Sequence, residues 1–233
     1  AAAGRTVGLL DADIYGPSMA RMLGVEGEPT SSDGRSLNAV EKHGIKSMSM
    51  AYLVEEETPI IWRGPMVMGA LEQFMRNVNW GALDVLVVDM PPGTGDAQLT
   101  MAQSVPLAGA VIVSTPQDIA LADARKGLNM FRKVDVPVLG LIENMSYFNC
   151  PHCGERTAIF DHGGARREAE VLMIDFLGEI PLDPVIRETS DSGNPIVVAE
   201  PDSEHTQVFR RIADAVWTKI TAEADTGPKI VVQ

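Results

Sequence analysis

Five short apolar runs punctuate the chain, at residues 7–10, 85–88, 110–113, 136–142 and 176–180, each bounded by polar or turn-forming residues. They are too short for helices and mostly continuous rather than alternating, which is the pattern of strands buried on both faces of a parallel sheet. Parallel strands need crossovers. The intervening segments predict helices over 64–78, 94–105, 119–133 and 163–173, with a last one over 204–221. In that last segment Val208, Ile212, Val216 and Ile220 recur at every fourth position, so one helical stripe is apolar and suited to packing on the sheet. Alternation of this kind predicts right-handed βαβ units in a doubly wound α/β fold, with a mostly parallel sheet and flanking helices. Residues 24–62 mix glycine, serine and charges around short apolar patches, and read as a loop with an antiparallel excursion. One domain over 1–222 and a mobile tail over 223–233, with Gly227-Pro228 inside it, complete the expected organisation.

Ligands of doubly wound folds bind beyond the carboxyl ends of the strands, so the residues that follow each apolar run carry the chemistry. After the first run come Asp11, Ala12 and Asp13; after the second, Asp89-Met90-Pro91-Pro92-Gly93-Thr94-Gly95-Asp96; after the third, Ser114-Thr115-Pro116; after the fourth, Glu143-Asn144-Met145. A carboxylate at a strand tip can hold hydrated Mg²⁺, and a glycine amide just beyond it can reach a terminal phosphate. The 84–96 segment therefore reads as a Walker-B strand running into a switch loop. Asp11 and Asp13 supply two more carboxylates on the same edge, one suited to orienting water and one to the metal shell, although Asp13 or Ser18 would also serve as a helix cap.

The balance of 19 basic against 32 acidic residues, a net charge of −13, argues against nucleic acid and anionic lipid as partners. No apolar run approaches the roughly 18 to 20 residues that span a bilayer. The two cysteines, Cys150 and Cys153, sit in Cys150-Pro151-His152-Cys153 and cannot make a disulfide framework, which favours a reducing compartment such as the cytoplasm. Two thiolates this close make half of a four-thiolate shell, which a two-fold dimer would complete. Zinc helped by His152 or His162, or a redox pair, are the other readings of the same spacing.

Together these pieces resemble the Mrp/Nbp family of iron–sulfur carrier ATPases, relatives of the nitrogenase iron protein and of MinD and ParA. The resemblance rests on residues 8–18, on Trp62-Arg63-Gly64-Pro65-Met66, on 89–96, on Glu143-Asn144-Met145-Ser146 and on 150–153, and it extends from about Gly4 to Ile220. It implies an ATP-hydrolysing homodimer that uses Mg²⁺, with a [4Fe-4S] cluster bridged by Cys150 and Cys153 of both subunits and delivered to recipient iron–sulfur apoproteins. By the family motif Asp11 and Asp13 fall in switch I, Asp89 in Walker B, and Gly93 with Asp96 in switch II. Asn144 would contact the adenine edge, with Pro181 and Asp183 lining the base pocket. The family's phosphate-binding loop, GKGGVGKS/T, belongs ahead of the first strand and is not in this sequence. The expectation is that these 233 residues alone lack that loop and its strand and do not hydrolyse ATP. Two further functions stay open on the same fold: a non-enzymatic zinc-binding or scaffolding protein, and a MinD/ParA-like positioning ATPase.

Overall fold

The computed structural model describes residues 1–13, 15–31, 34–53 and 64–224. Trp62 and Arg63 of the family motif, and 225–233 of the expected tail, lie outside the described residues. In chain order the elements are β1 (Val7–Asp11), α1 (Met19–Leu23), β2 (Leu37–Asn38), β3 (Val40–Lys42), β4 (Ile45–Met48), α2 (Gly64–Arg76), β5 (Val78–Asn79) and β6 (Val85–Asp89). There follow α3 (Asp96–Ser104), β7 (Ala110–Ser114), α4 (Asp118–Lys133), β8 (Val138–Glu143), β9 (Phe148–Asn149) and β10 (Arg156–Thr157). The last are α5 (Gly164–Leu172), β11 (Phe176–Glu179), α6 (Pro184–Asp191), α7 (Ile196–Ala199) and α8 (Glu204–Ala224). Each of the five apolar runs is a strand, and each expected helix is present within a few residues of its expected ends.

The chain divides into two compact units. The first comprises Ala1–Met101 and Pro184–Pro201. Its sheet has the order β3-β4-β1-β6, with β1 parallel to both β4 and β6 and β3 antiparallel to β4. The β3–β4 hairpin is the antiparallel excursion expected within 24–62. Leu10, Met48, Val67, Leu71 and Phe74 are buried in its core. In this unit the C-terminal ends of α1 and α6 meet through two glycines in the left-handed region, Gly24 (φ 61°) and Gly193 (φ 71°). A Cβ on Gly193 would lie 2.3 Å from the Gly24 Cα, so the contact requires glycine there. His43 Nε2 lies 3.0 Å from the carbonyl oxygens of both Leu23 and Gly193, pinning the hairpin turn to the same junction.

The second unit comprises Ala102–Asp183 and Asp202–Gln233. Its main sheet, β11-β8-β7, is wholly parallel. Helix α4 lays Leu121, Leu128 and Phe131 into a core with Ile112, Leu141, Ala165 and Ala169, while Asp118 in its first turn and Arg132 and Lys133 in its last complement the helix dipole. A two-bonded pairing of Arg125 with Glu168, at 2.6 and 2.8 Å, ties α4 to α5. The short antiparallel hairpin β9–β10 extends from this unit, with the cysteines in its loop.

Candidate functional site

Parallel pairing of β1 with β6 sets Asp11 opposite Asp89, so two carboxylates end neighbouring strands at the same level. Asp11 is 1% exposed. Its Oδ2 accepts from Ser49 Oγ at 2.9 Å and from the Met19 amide at 3.2 Å, and its Oδ1 accepts from the Asp13 amide at 3.2 Å. Burial pushes the Asp11 carboxyl up, these three donors offset part of the rise, and the charge of Asp13 adds to it. Burial also raises Asp89, with the charges of Asp11 and Asp13 pushing the same way. Asp13 turns back on its own loop, accepting from the Gly16 amide at 3.2 Å. The cap reading for Ser18 holds only by position: it precedes α1, and its side chain makes no capping hydrogen bond.

Beyond Asp89, the 91–95 turn is exposed from Pro92 onward, with Gly93 at φ 95°. Asp96 begins α3. Beneath the turn lies Gln98, 6% exposed, whose Nε2 donates to the carbonyls of Pro91 (3.3 Å) and Pro92 (2.7 Å). Its Oε1 has no hydrogen-bond partner among the described residues.

In the second unit the tips of β7, β8 and β11 align Ser114 and Glu179 with Glu143. Glu143 is fully buried, and its carboxylate accepts from Ser146 Oγ (2.5 Å) and the amides of Gly163 (2.9 Å) and Ala165 (2.7 Å). Asn144 follows at the tip of β8, half-buried, with its backbone N–H donating to the Ser114 carbonyl at 2.8 Å and its side-chain Oδ1 accepting from the Met145 N–H at 3.0 Å. Pro181 is buried, and the Asp183 carboxylate lies 3.2 Å from His205 Nε2 of α8. Asn144, Pro181 and Asp183 thus all follow strand tips of one sheet.

Cys150 is half-buried and Cys153 exposed, and neither is in a disulfide. The Cys150 amide donates to the Glu155 carbonyl at 2.9 Å, and the Gly154 amide returns to the Cys150 carbonyl at 2.8 Å, closing a tight knuckle. Backbone donation from His152 and Cys153, then the Cys153 thiol, holds the Cys150 thiol below its ordinary value, which favours the thiolate that binds metal. Among the described residues no His, Asp or Glu offers a third ligand atom to this pair.

The hairpin is fixed to the strand tips by Arg156. Its guanidinium lies 3.5 Å over the Tyr147 ring, donates to Glu179 Oε1 at 3.0 Å and contacts His162 Nε2 at 2.8 Å. His162 Nε2 is also 3.0 Å from Glu179 Oε2. Ligand atoms of Glu143, His162 and Glu179 lie within 4.8 Å of one another. Arg156 already supplies positive charge against two of these groups, and Glu143 is taken up by its three donors, so the cluster works as an ion-pair network. Burial would raise the Glu179 carboxyl, but Arg156 and His162 outweigh it and hold it below its ordinary value. Sequence reasoning singled out neither Arg156 nor Glu179, and Gln98 only as part of a helix.

A parallel sheet with paired strand-tip carboxylates and a glycine-rich turn beyond them is the architecture of nucleoside triphosphatases of the P-loop class. The chain belongs to the ParA family described as "NUBPL iron-transfer P-loop NTPase", which matches residues 1–217. It is 55% identical over 213 residues, 91% of this chain and 66% of the relative, to the iron–sulfur cluster transfer protein NUBPL of Dictyostelium discoideum. To the iron–sulfur cluster carrier protein of Escherichia coli K12 it is 49% identical over 229 residues, 98% of this chain and 62% of the relative. The chain thus spans about two thirds of the length of these relatives. A nucleotide-binding protein from Archaeoglobus fulgidus, solved in complex with ADP, superposes with a TM-score of 0.74 at 40% identity, covering 89% of this chain and 80% of that one. The resemblance and the fold class read from the sequence are both borne out.

Because Asp11 and Asp89 titrate above their ordinary values when folded, the stability they contribute is present below the ordinary aspartate value and is lost as pH rises through those raised values. Asp89→Asn should therefore raise the nucleotide-free melting temperature at neutral pH by about 2 °C or more and flatten its pH dependence, as read by calorimetry. A lower-melting variant would contradict the account. Glu179 has the opposite sign: its contribution is present at neutral pH and is lost only as pH falls below the ordinary glutamate range and through the depressed folded value. Glu179→Gln should speed hydrogen exchange at the Cys150 and Gly154 amides at neutral pH, by no more than about 1 kcal/mol of local opening for so exposed a pair. Mild acidification of the unsubstituted protein should leave those amides protected.

Proposed function

We propose that the full-length protein is an ATP-dependent iron–sulfur cluster carrier: two copies of the chain hold one [4Fe-4S] cluster through Cys150 and Cys153 of each, and pass it to recipient apoproteins. The observation that carries this reading is the exposed knuckle itself. It presents two thiols, one biased toward thiolate, with no third ligand atom from the same chain among the described residues. A tetrahedral metal site or a cubane cluster needs more than two protein ligands, and a second copy related by a two-fold axis supplies two identical ones. The names of the relatives, a cluster transfer protein and a cluster carrier, support the cargo.

ATP is the fuel in this reading. Asp11, Asp13 and Asp89 repel one another in a partly desolvated strand-tip cluster, and a hydrated Mg²⁺ offsets that repulsion. Asp89 and Asp11 then belong to the metal shell, Asp13 to the attacking water, and Gly93 and Asp96 to the turn that meets the terminal phosphate. Asn144, with an amide that can donate and accept, reads the adenine edge, and the backbone around Pro181 and Asp183 borders the base. Hydrolysis changes the geometry of the dimer and so the hold on the shared cluster. Among the described residues no helix is long and apolar enough to cross a membrane. A reducing compartment, the cytoplasm in the simplest case, keeps the thiols competent.

Substituting Cys150 and Cys153 together with serine in the full-length protein tests the reading. After anaerobic reconstitution, the variant should lose the broad visible absorption of the cluster and dimerise more weakly, while its nucleotide affinity stays within about twofold, since the thiols touch no nucleotide. A double variant with an undiminished cluster spectrum would overturn the assignment, and a colourless parent protein with stoichiometric zinc would favour the scaffolding alternative.

A further inference from the structure

The buried side chain of Gln98 fixes the direction of an exposed backbone donor. Its Nε2 faces two carbonyl oxygens, Pro91 at 3.3 Å and Pro92 at 2.7 Å, and that pair of acceptors settles which end of the amide is nitrogen. The other end, Oε1, lies on the Gly95 side, 3.1 Å from where a Gly95 Cβ would stand, and is open to one further donor. The peptide bonds are trans, so the N–H that follows a carbonyl points the opposite way. Drawing the Pro92 carbonyl inward onto Gln98 therefore turns the Gly93 N–H outward. Pro92 has no N–H, so the contact to Pro91 orients no donor of its own and only steadies the turn. Gly93 is exposed and sits at φ 95°, where a side chain would be strained. The result is one aimed amide just past the tip of β6, four residues beyond Asp89.

We propose that Gln98 is a positioning residue for the terminal phosphoryl group of a nucleoside triphosphate: it touches no substrate, and it holds the Gly93 N–H outward to meet a terminal phosphate oxygen. The inference rests on the reading above that the 91–95 turn meets the terminal phosphate. It makes Gln98 a discriminator between triphosphate and diphosphate, because ADP has no atom for that amide to find. A carboxylate in place of the amide would set an oxygen against two carbonyls and release the turn. Once protonated, the same carboxyl regains a donor.

The test uses the full-length protein with Gln98→Met, which keeps the volume and removes the donor, and Gln98→Glu, which restores it at low pH. In Gln98→Met, kcat/KM for MgATP should fall about tenfold or more, the scale of a misaimed contact, with MgADP affinity within about twofold of the parent. In Gln98→Glu the activity relative to the parent should be as low at about pH 8 and rise toward about pH 5.5 as the carboxyl protonates. Hydrolysis by Gln98→Met within about twofold of the parent would overturn the proposal. So would equal losses of ATP and ADP affinity, which mark a purely structural role, or a flat pH ratio for Gln98→Glu. Absence of MgATP binding by the unsubstituted full-length protein would instead sink the nucleotide reading, and the role of Gln98 with it.

Discussion

The register between β1 and β6 is the constraint on which the chemistry of the first unit depends. It pairs Leu10 with Val88 and Asp11 with Asp89, so the apolar run of each strand ends at the same level and a carboxylate follows on both. The pair is not stable in its own right. Burial raises both carboxyls, and although Asp11 is compensated by Ser49 and two amides, Asp89 is pushed further by its neighbours' charge. Strand packing thus holds together carboxylates whose charges repel one another, a common relation between stability and function.

The second unit solves a different problem, that of holding a small exposed loop in one place. Two-residue strands such as β9 and β10 contribute little pairing energy of their own. The anchor is Glu143, whose three donors come from the 146 turn and from the start of α5. On that base Arg156 bridges Glu179 and the Tyr147 ring, reaching from the hairpin to the tip of β11. Asn144 and Tyr147 flank the same turn, and the Leu182 amide donates to the Tyr147 carbonyl at 2.7 Å. The proposed base-edge residues and the cysteine knuckle therefore stand on one framework of short contacts.

Much of this was legible in the sequence where a strand is a continuous apolar run. That condition holds for β1, β6, β7, β8 and β11, whose tips located Asp11, Asp89 and Asn144, although burial on both faces is met along most of β8 alone and Val87 of β6 and Val113 of β7 are exposed. It fails for β4, whose sequence Ile45-Lys46-Ser47-Met48 includes a buried serine that is acceptable only because it bonds Tyr52 and the Val40 carbonyl. Helices α6 and α1 were missed because eight and five residues are too few to establish a helical period. Gln98 and Arg156 left no local signal either. The role of Gln98 comes from carbonyls six and seven residues back, and that of Arg156 from Glu179, 23 residues on.

In the proposed reading one chain supplies half of a shared site for a cluster. Native mass spectrometry of the anaerobically reconstituted full-length protein addresses it without substitution or assay. A shared site gives a dominant species of two chains plus the mass of a single [4Fe-4S] cluster, reverting to bare monomer when the cluster is removed by acid. One metal per monomer, or a dimer of unchanged abundance after the cluster is gone, would contradict it.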